Sequence, residues 1–518
     1  MAEPWRFFGR QRETDELLNI LRDRRWFFCA ISGRRRIGKT SLILRALDAL
    51  RRERPQAPRP IYLQVPDSDE RDVVAVFDRA LRDAGIDSTT ARPNALRTFH
   101  DMAQAVGNLC RAGHVVVLDE FQYFHRKTIG HFPSLLQAEV DRLRDTDRGG
   151  LFVLGSIHTE MTALLEDVGS PLHARVTHRL VLDHWDFATL LEMWQAQGIH
   201  DPARWLTLWS LFEGVPKFHR DCNALGVFDL PPDQKFVPDL LKRMFLEGPS
   251  PLIEEANTWF LRELRGRSVS ILRLLADQQP SGHKELSDAY AGLGSDHGRF
   301  SAYLGALIDR YHLIEKQLPV FADDRAPFAR YVIVDNFLGA WLSSVEPAAQ
   351  SARVKPTDEA VADAVPRLQK HEGFVFERMV RKVMEECSRA GAADFPLTEQ
   401  IRGYWNRPRE AARAIEIDIV AWDATRRHVR FGSCKRSAEK HSASSVASFD
   451  AHVGTFLQTK VGRRFSGWRI ERALFAPAFS AEQRATYEAE GRVCRDLNDF
   501  ARFSAATVEW SAGKTRRD

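Results

Sequence analysis

The stretch Trp26-Phe27-Phe28-Cys29-Ala30-Ile31-Ser32-Gly33-Arg34-Arg35-Arg36-Ile37-Gly38-Lys39-Thr40 joins an apolar, aromatic run to a basic loop bounded by glycines. The run is short and flanked by arginines and Gly33, which predicts a buried strand. Downstream, Ile43, Leu47 and Leu50 recur at i, i+4 and i+7, the spacing of a helix with one face turned inward. Between them the residues follow the pattern GxxxxGK and then Ser or Thr, and a strand before and a helix after are the surroundings that pattern requires. The glycines let backbone N–H groups turn inward around phosphate oxygens, Lys39 reaches β- and γ-phosphates, and Thr40, with Ser41 beside it, offers a hydroxyl to Mg²⁺. Gly33, Gly38, Lys39, Thr40 and Ser41 are therefore the expected nucleotide-binding residues, with ATP and Mg²⁺ as the expected cofactors.

A second apolar run, Val115-Val116-Val117-Leu118, ends in Asp119-Glu120, some eighty residues after Lys39. At that place Asp119 is expected to hold the Mg²⁺ shell with Thr40, and Glu120 to polarise the attacking water. A third run, Leu151-Phe152-Val153-Leu154, ends at Gly155-Ser156, where the Ser156 hydroxyl is placed to sense a γ-phosphate or position water. Strands alternating with helical patterns imply a parallel sheet covered on both faces.

The chain has 518 residues, 44% hydrophobic and 28% charged, enough for three or four domains. That balance excludes disordered, collagen-like and mucin-like proteins. No run reaches the length of a membrane span, and Met1 to Arg10 carries no secretion-signal pattern. The six cysteines are scattered with no CxxC pair, which fits a reducing compartment and no zinc ribbon. A cytoplasmic protein without a membrane partner is the expectation. Lys and Arg total 74 against 70 Asp and Glu, a net charge of +4 that says little about partners until it is resolved along the chain.

The expected layout is a nucleotide-binding core over 1–182, a helical lid over 183–266, a winged helix over 267–347, a linker over 348–365 rich in Ala, Pro, Ser and charge, and a second α/β domain over 366–518. In the winged-helix segment Arg299 and Tyr303 are placed to reach DNA, and Asp296 and Asp309 oppose it.

Further segments make the chain resemble the archaeal-type P-loop ATPases of the STAND/AAA+-related group, which also occur in bacteria. Phe8-Gly9-Arg10-Gln11-Arg12-Glu13 is similar to that family's GRE-type segment beside the adenine, and the Gly33–Thr40 loop to its GRRRxGKT loop. Gly169-Ser170-Pro171-Leu172-His173-Ala174-Arg175 is similar to its SPLxxR segment, with Ala174 where the family has glycine. Gly214-Val215-Pro216 is similar to the GxP motif of its lid, and the likeness continues through Tyr331–Leu338. The resemblance implies nucleotide-binding roles for Arg10 and Pro216. It makes Arg175 the candidate arginine for the charge on the transferred phosphoryl group, in its own subunit or in a neighbour.

In the C-terminal domain Glu377 lies on an expected helix, Asp418 on an expected strand at Ile417–Trp422 with Glu416 two residues before it, and Lys435 after the next strand at His428–Ser433. Two carboxylate-bearing elements and a lysine resemble the PD-(D/E)XK nuclease fold, in which carboxylates bind Mg²⁺ and the lysine assists the nucleophile. The family sequence Gly-Glu-Cys-Lys reads Gly432-Ser433-Cys434-Lys435 here, so a metal ligand is missing. Basic residues, among them Arg378, Arg381, Arg430, Arg436 and Arg464, suggest a phosphate-backbone face.

The expected fold is therefore α/β: a P-loop NTPase parallel sheet with helical lid, winged helix and a C-terminal restriction-endonuclease-like domain. The expected function is a Mg²⁺-dependent ATP hydrolase acting as a switch on the winged helix and nuclease-like domain. An ATP-gated, metal-dependent DNase in defence or mobile-element control, and a slowly hydrolysing scaffold that forms homo-oligomers on nucleotide binding, are the alternatives.

Overall fold

The computed structural model describes residues 5–23, 25–56, 58–86, 96–156, 158–248, 251–255, 264, 267–294, 297–323, 328–406 and 414–504. Asp296 lies outside them. The chain divides into two compact units: Gly9–His184 with Val215–Phe218, and Met1–Phe8 with Trp185–Gly214 and His219–Asp518.

The first unit is built on five parallel strands, β1 (Phe27–Gly33), β2 (Ile61–Gln64), β3 (Val115–Asp119), β4 (Gly150–Gly155) and β5 (His178–Leu182), in the order β2-β3-β4-β1-β5. The central strands β3, β4 and β1 coincide with the three apolar runs. Phe28, Val116, Leu118 and Val153 pack with Phe77, Phe99 and Phe132 from the covering helices Glu70–Asp83, Phe99–Arg111 and Phe132–Leu143, and with Phe124 of the short turn Phe121–His125. Two of these helices are capped from the sequence before them: Asp69 accepts from the Asp72 N–H at 3.1 Å, and Thr98 and Asp101 form a reciprocal capping box.

In the second unit, helices Phe187–Ala196 and Pro202–Phe212 pack through Trp194 and Trp205, whose rings stack with centroids 6.2 Å apart. Helices Arg267–Gln278, His283–Gly292 and His297–Gly305 lead to the antiparallel pair β7 (Ile314–Gln317) and β8 (Arg330–Ile333), with β6 (Ser281–Gly282) on the other side of β8. A mixed sheet closes the chain: β9 (Arg402–Trp405), β10 (Glu416–Asp423), β11 (His428–Cys434), β12 (Arg469–Phe475) and β13 (Val493–Arg495), in the order β13-β12-β11-β10-β9. Strand β10 is antiparallel to β9 and β11, whereas β11, β12 and β13 run parallel.

The expected linker over 348–365 is a correction. Helix Glu346–Ser351 enters it, and a single 33-residue helix, Thr357–Arg389, runs through its second half into the C-terminal region. Ala360, Val361, Ala364 and Leu368 are buried and recur at helical spacing, so alanines that read as linker composition are one face of a packed helix. All six cysteines are free and buried. Among the described residues no helix is long and apolar enough to cross a membrane.

Candidate functional site

The basic loop leaves the carboxyl end of β1 and enters helix Lys39–Glu53. Gly33 is required by packing: a Cβ there would lie 2.5 Å from the Leu182 carbonyl oxygen on β5. Gly38 turns the chain into the helix with φ 94°, a left-handed conformation that glycine adopts without strain. Lys39 folds back over the loop, donating to the Gly33 and Arg34 carbonyls at 2.9 and 3.1 Å and to Ser156 Oγ at 3.2 Å. Burial pulls its ammonium down to about 8, while Glu120 and Asp119 hold it up, so it is charged at neutral pH.

Asp119 is 4% exposed at the end of β3. Its Oδ2 accepts from Thr40 Oγ1 at 2.5 Å and from the Tyr62 hydroxyl at 2.6 Å, and its Oδ1 accepts from the Glu120 N–H at 2.8 Å. Burial and the Asp119 hydrogen bond both push the Tyr62 hydroxyl upward, so it stays a donor. Glu120 has left-handed φ (58°), and its carboxylate accepts from the Gln122 side-chain amide. Gln122 in turn accepts from the Ser156 N–H at 3.2 Å. Lys39, Thr40, Asp119, Glu120 and Ser156 thus converge from three separate segments. A Mg²⁺ ion uses one or two protein oxygens beside substrate phosphates, and Thr40 and Asp119, already paired, fit that donor set.

Arg175 falls elsewhere. The Thr177 N–H donates to the Phe28 carbonyl at 2.8 Å, and β5 pairs with β1 from His178↔Cys29 to Leu182↔Gly33. Arg175 therefore precedes the sheet at the amino edge while the loop leaves the carboxyl edge, about 15–20 Å away along the strand. Its guanidinium grips Asp141 bidentately at 2.8 and 2.9 Å. The structure thus does not bring Arg175 to the phosphate loop of its own chain. Arg10 donates to Glu13 at 2.8 Å and to the Asp183 carbonyl. Pro216 opens helix Pro216–Ala224, and the Arg34 guanidinium lies over the ring of Phe218, 5.5 Å from its centre.

In the second unit Glu377, Glu416 and Asp418 line one cavity of about 150 Å³, together with Arg330, Arg381 and Trp405. Arg381 donates to Glu377 one turn earlier, and Arg330 on β8 donates to Glu416 at 2.6 Å while lying over the Trp405 ring. Asp418 accepts from the Cys434 N–H at 2.8 Å. Burial raises the Asp418 carboxyl against the pull of that hydrogen bond and of Lys435, and raises Glu377 to about 7 against Arg381. Lys435 follows β11, its N–H bonded to the Phe475 carbonyl at 3.0 Å. Ser433, in place of a carboxylate, is 6% exposed. With two carboxylates bound to arginine and this position uncharged, the residues do not fit a divalent cation as they stand. Among the described residues no group of three or more His, Cys, Asp or Glu is arranged to hold a metal.

Part of the expected basic face is taken up by ion pairs. Arg430, 2% exposed, binds Asp394 at 2.9 Å and Glu471; Arg436 binds Glu372 at 2.6 Å; Arg378 binds Glu213 at 2.7 Å. Arg464 covers the Phe321 ring. Arg430, Arg436 and Arg378 are thus each paired with an acid within the unit. Tyr62, Gln122, Phe218 and Arg330 were not singled out by spacing. Only Gln122, two residues after Glu120, carries a local signal.

Fold and site together define a nucleotide-type phosphate loop on a parallel α/β sheet, followed by helices and a mixed sheet. The family model described as archaeal and bacterial proteins of unknown function (DUF234) matches residues 341–446, which include Glu377, Glu416, Asp418 and Lys435. An uncharacterized protein of Methanocaldococcus jannaschii is 24% identical over 420 residues, 80% of this chain and 84% of its own length. Among solved structures the chain is similar to a Walker-type ATPase of Pyrococcus abyssi (17% identity, 65% of this chain and 96% of that one, TM-score 0.46). It is also similar to the ORC2 protein of Aeropyrum pernix in ADPNP–ADP complexes (15% identity, 71% and 96%, TM-score 0.47).

Proposed function

We propose that the protein is a Mg²⁺-dependent ATP-binding and ATP-hydrolysing switch. The observation that carries this reading is the convergence of Lys39, Ser156, Thr40 and Asp119 at the carboxyl edge of one parallel sheet. The loop's N–H groups and Lys39 bind the phosphates, Thr40 and Asp119 hold Mg²⁺, and Glu120 orients the attacking water. When bound, Mg²⁺ draws charge from the phosphate oxygens. Ser156 reads the γ-phosphate through the hydroxyl that now receives Lys39. Arg34 touches Phe218, the last residue of the Val215–Phe218 segment, which gives a change in the loop a covalent route to the rest of the chain.

The helices with β6–β8 fit a winged helix, and the mixed sheet with helix Thr357–Arg389 fits a PD-(D/E)XK-like fold. The arginines on Glu377 and Glu416 favour its use for binding or assembly over cutting. Purified protein with Lys39→Ala is expected to lose nucleotide binding and about 100-fold or more of its ATP turnover; hydrolysis at the wild-type rate would refute the reading. DNA and RNA are expected to remain uncut with Mg²⁺ or Mn²⁺, with or without ATP, and cleavage abolished by Asp418→Ala would restore the ATP-gated DNase.

A further inference from the structure

Between the two ends of the phosphate site runs a short relay. Lys39 Nζ donates to Ser156 Oγ at 3.2 Å, the Ser156 N–H donates to Gln122 Oε1 at 3.2 Å, and Gln122 Nε2 donates to the Glu120 carboxylate. Gln122 is 1% exposed, so water does not compete for either end of its amide. The orientation of that amide is set by its neighbours: a backbone N–H faces only the oxygen, and a carboxylate faces only the nitrogen. Room for it depends on the residue before Ser156. A Cβ at Gly155 would lie 3.0 Å from Gln122 Oε1 and 2.2 Å from the Met161 sulfur. Glu120 itself stands in a left-handed conformation, leaving β3 just where Gln122 can reach back to it.

We infer that Gln122 is a positioning residue for ATP hydrolysis: it fixes the Glu120 carboxylate against β4 and ties its orientation to the Lys39–Ser156 contact that meets the γ-phosphate. This rests on the ATPase reading of the site. A phosphate that draws Lys39 away from Ser156 changes one end of the relay, and the carboxylate that aligns water lies at the other. Gln122 is buried with both ends of its amide taken up by Ser156 and Glu120, so its effect falls on turnover and leaves nucleotide affinity alone.

The test uses the full chain and two variants. Gln122→Met keeps the length and removes both hydrogen bonds; Gln122→Glu keeps the acceptor and sets a second carboxylate against Glu120, and it carries the test alone where the apolar variant does not fold. Both are expected to lower kcat about 10–100-fold with KM for ATP within about threefold of wild type. Turnover within twofold of wild type in the folded variants overturns the inference. So does a joint loss of ATP affinity and turnover, the mark of a structural residue. Wild-type protein with no Lys39-dependent hydrolysis overturns the ATPase reading itself.

Discussion

Each unit carries a cluster of carboxylates, and the two clusters are neutralised in opposite ways. At the end of β3, Asp119 is met by the hydroxyls of Thr40 and Tyr62 and Glu120 by the amide of Gln122, all uncharged donors. In the second unit Glu377 and Glu416 are met by the guanidinium groups of Arg381 and Arg330. A neutral donor frees the carboxylate lone pair for an incoming cation at about the worth of one hydrogen bond, ~1 kcal/mol. A guanidinium must leave as a charge, and until it does it repels the cation. Carboxylate count alone therefore says little about metal chemistry; the donors facing the carboxylates decide it.

The comparison breaks first at Asp119. Asp119→Asn preserves shape and removes the charge, and phosphate release at saturating Mg²⁺ is expected to fall on the order of 100-fold. Turnover within threefold of wild type would mean that the uncharged donors serve no cation.

A smaller effect separates the buried carboxylates by pH. Burial raises Glu377 to about 7, so between its ordinary value near 4.3 and 7 the folded protein keeps a proton that the unfolded chain has released. Its contribution to stability is thus lost as pH rises through that window and is fully lost above 7. Glu377→Gln is expected to be more stable than wild type at pH 8 by on the order of 1 kcal/mol, since the carboxyl is partly exposed, and equal to it at pH 4. Comparing the two proteins by urea unfolding cancels His371, which burial pulls down to about 4 and which destabilises in the opposite direction, as pH falls. Equal stability at pH 8 would contradict the desolvation of Glu377.

The smallest expected effect is at Arg330→Met. The Arg330–Glu416 pair is 23% and 57% exposed at its two side chains. Its loss is expected to cost about 0.5 kcal/mol in the same unfolding assay, and a loss above about 2 kcal/mol would class it with buried pairs.

The central strands β1, β3 and β4 are legible in the sequence because burial on both faces makes them continuous apolar runs. The edge strands are not. In β5 only Leu180 and Leu182 are buried, and β2 is four residues long. Lys39, Thr40, Asp119, Glu120 and Ser156 are legible from spacing and strand ends, whereas Tyr62 lies 57 residues before its partner on an edge strand. The sequence around Arg175 cannot tell which edge of the sheet it occupies; only the β5 register does. Likewise Arg378, Arg430 and Arg436 count toward a basic face until their acids, Glu213, Asp394 with Glu471, and Glu372, are located in space.

Helix Thr357–Arg389 bears on how this chain can be cut and recombined. At 1.5 Å per residue it is a rod of about 50 Å. Glu372 on it accepts from Thr207, of helix Pro202–Phe212, and from Arg436 beyond β11. Separating the mixed sheet at the composition boundary near residue 365 would sever this rod, bare Ala360, Val361 and Ala364, and strand Thr207 without its acceptor. A gene fusion that borrowed the last five strands alone would inherit a fragment. The smallest transferable piece includes the helix together with the residues that grip it from both sides.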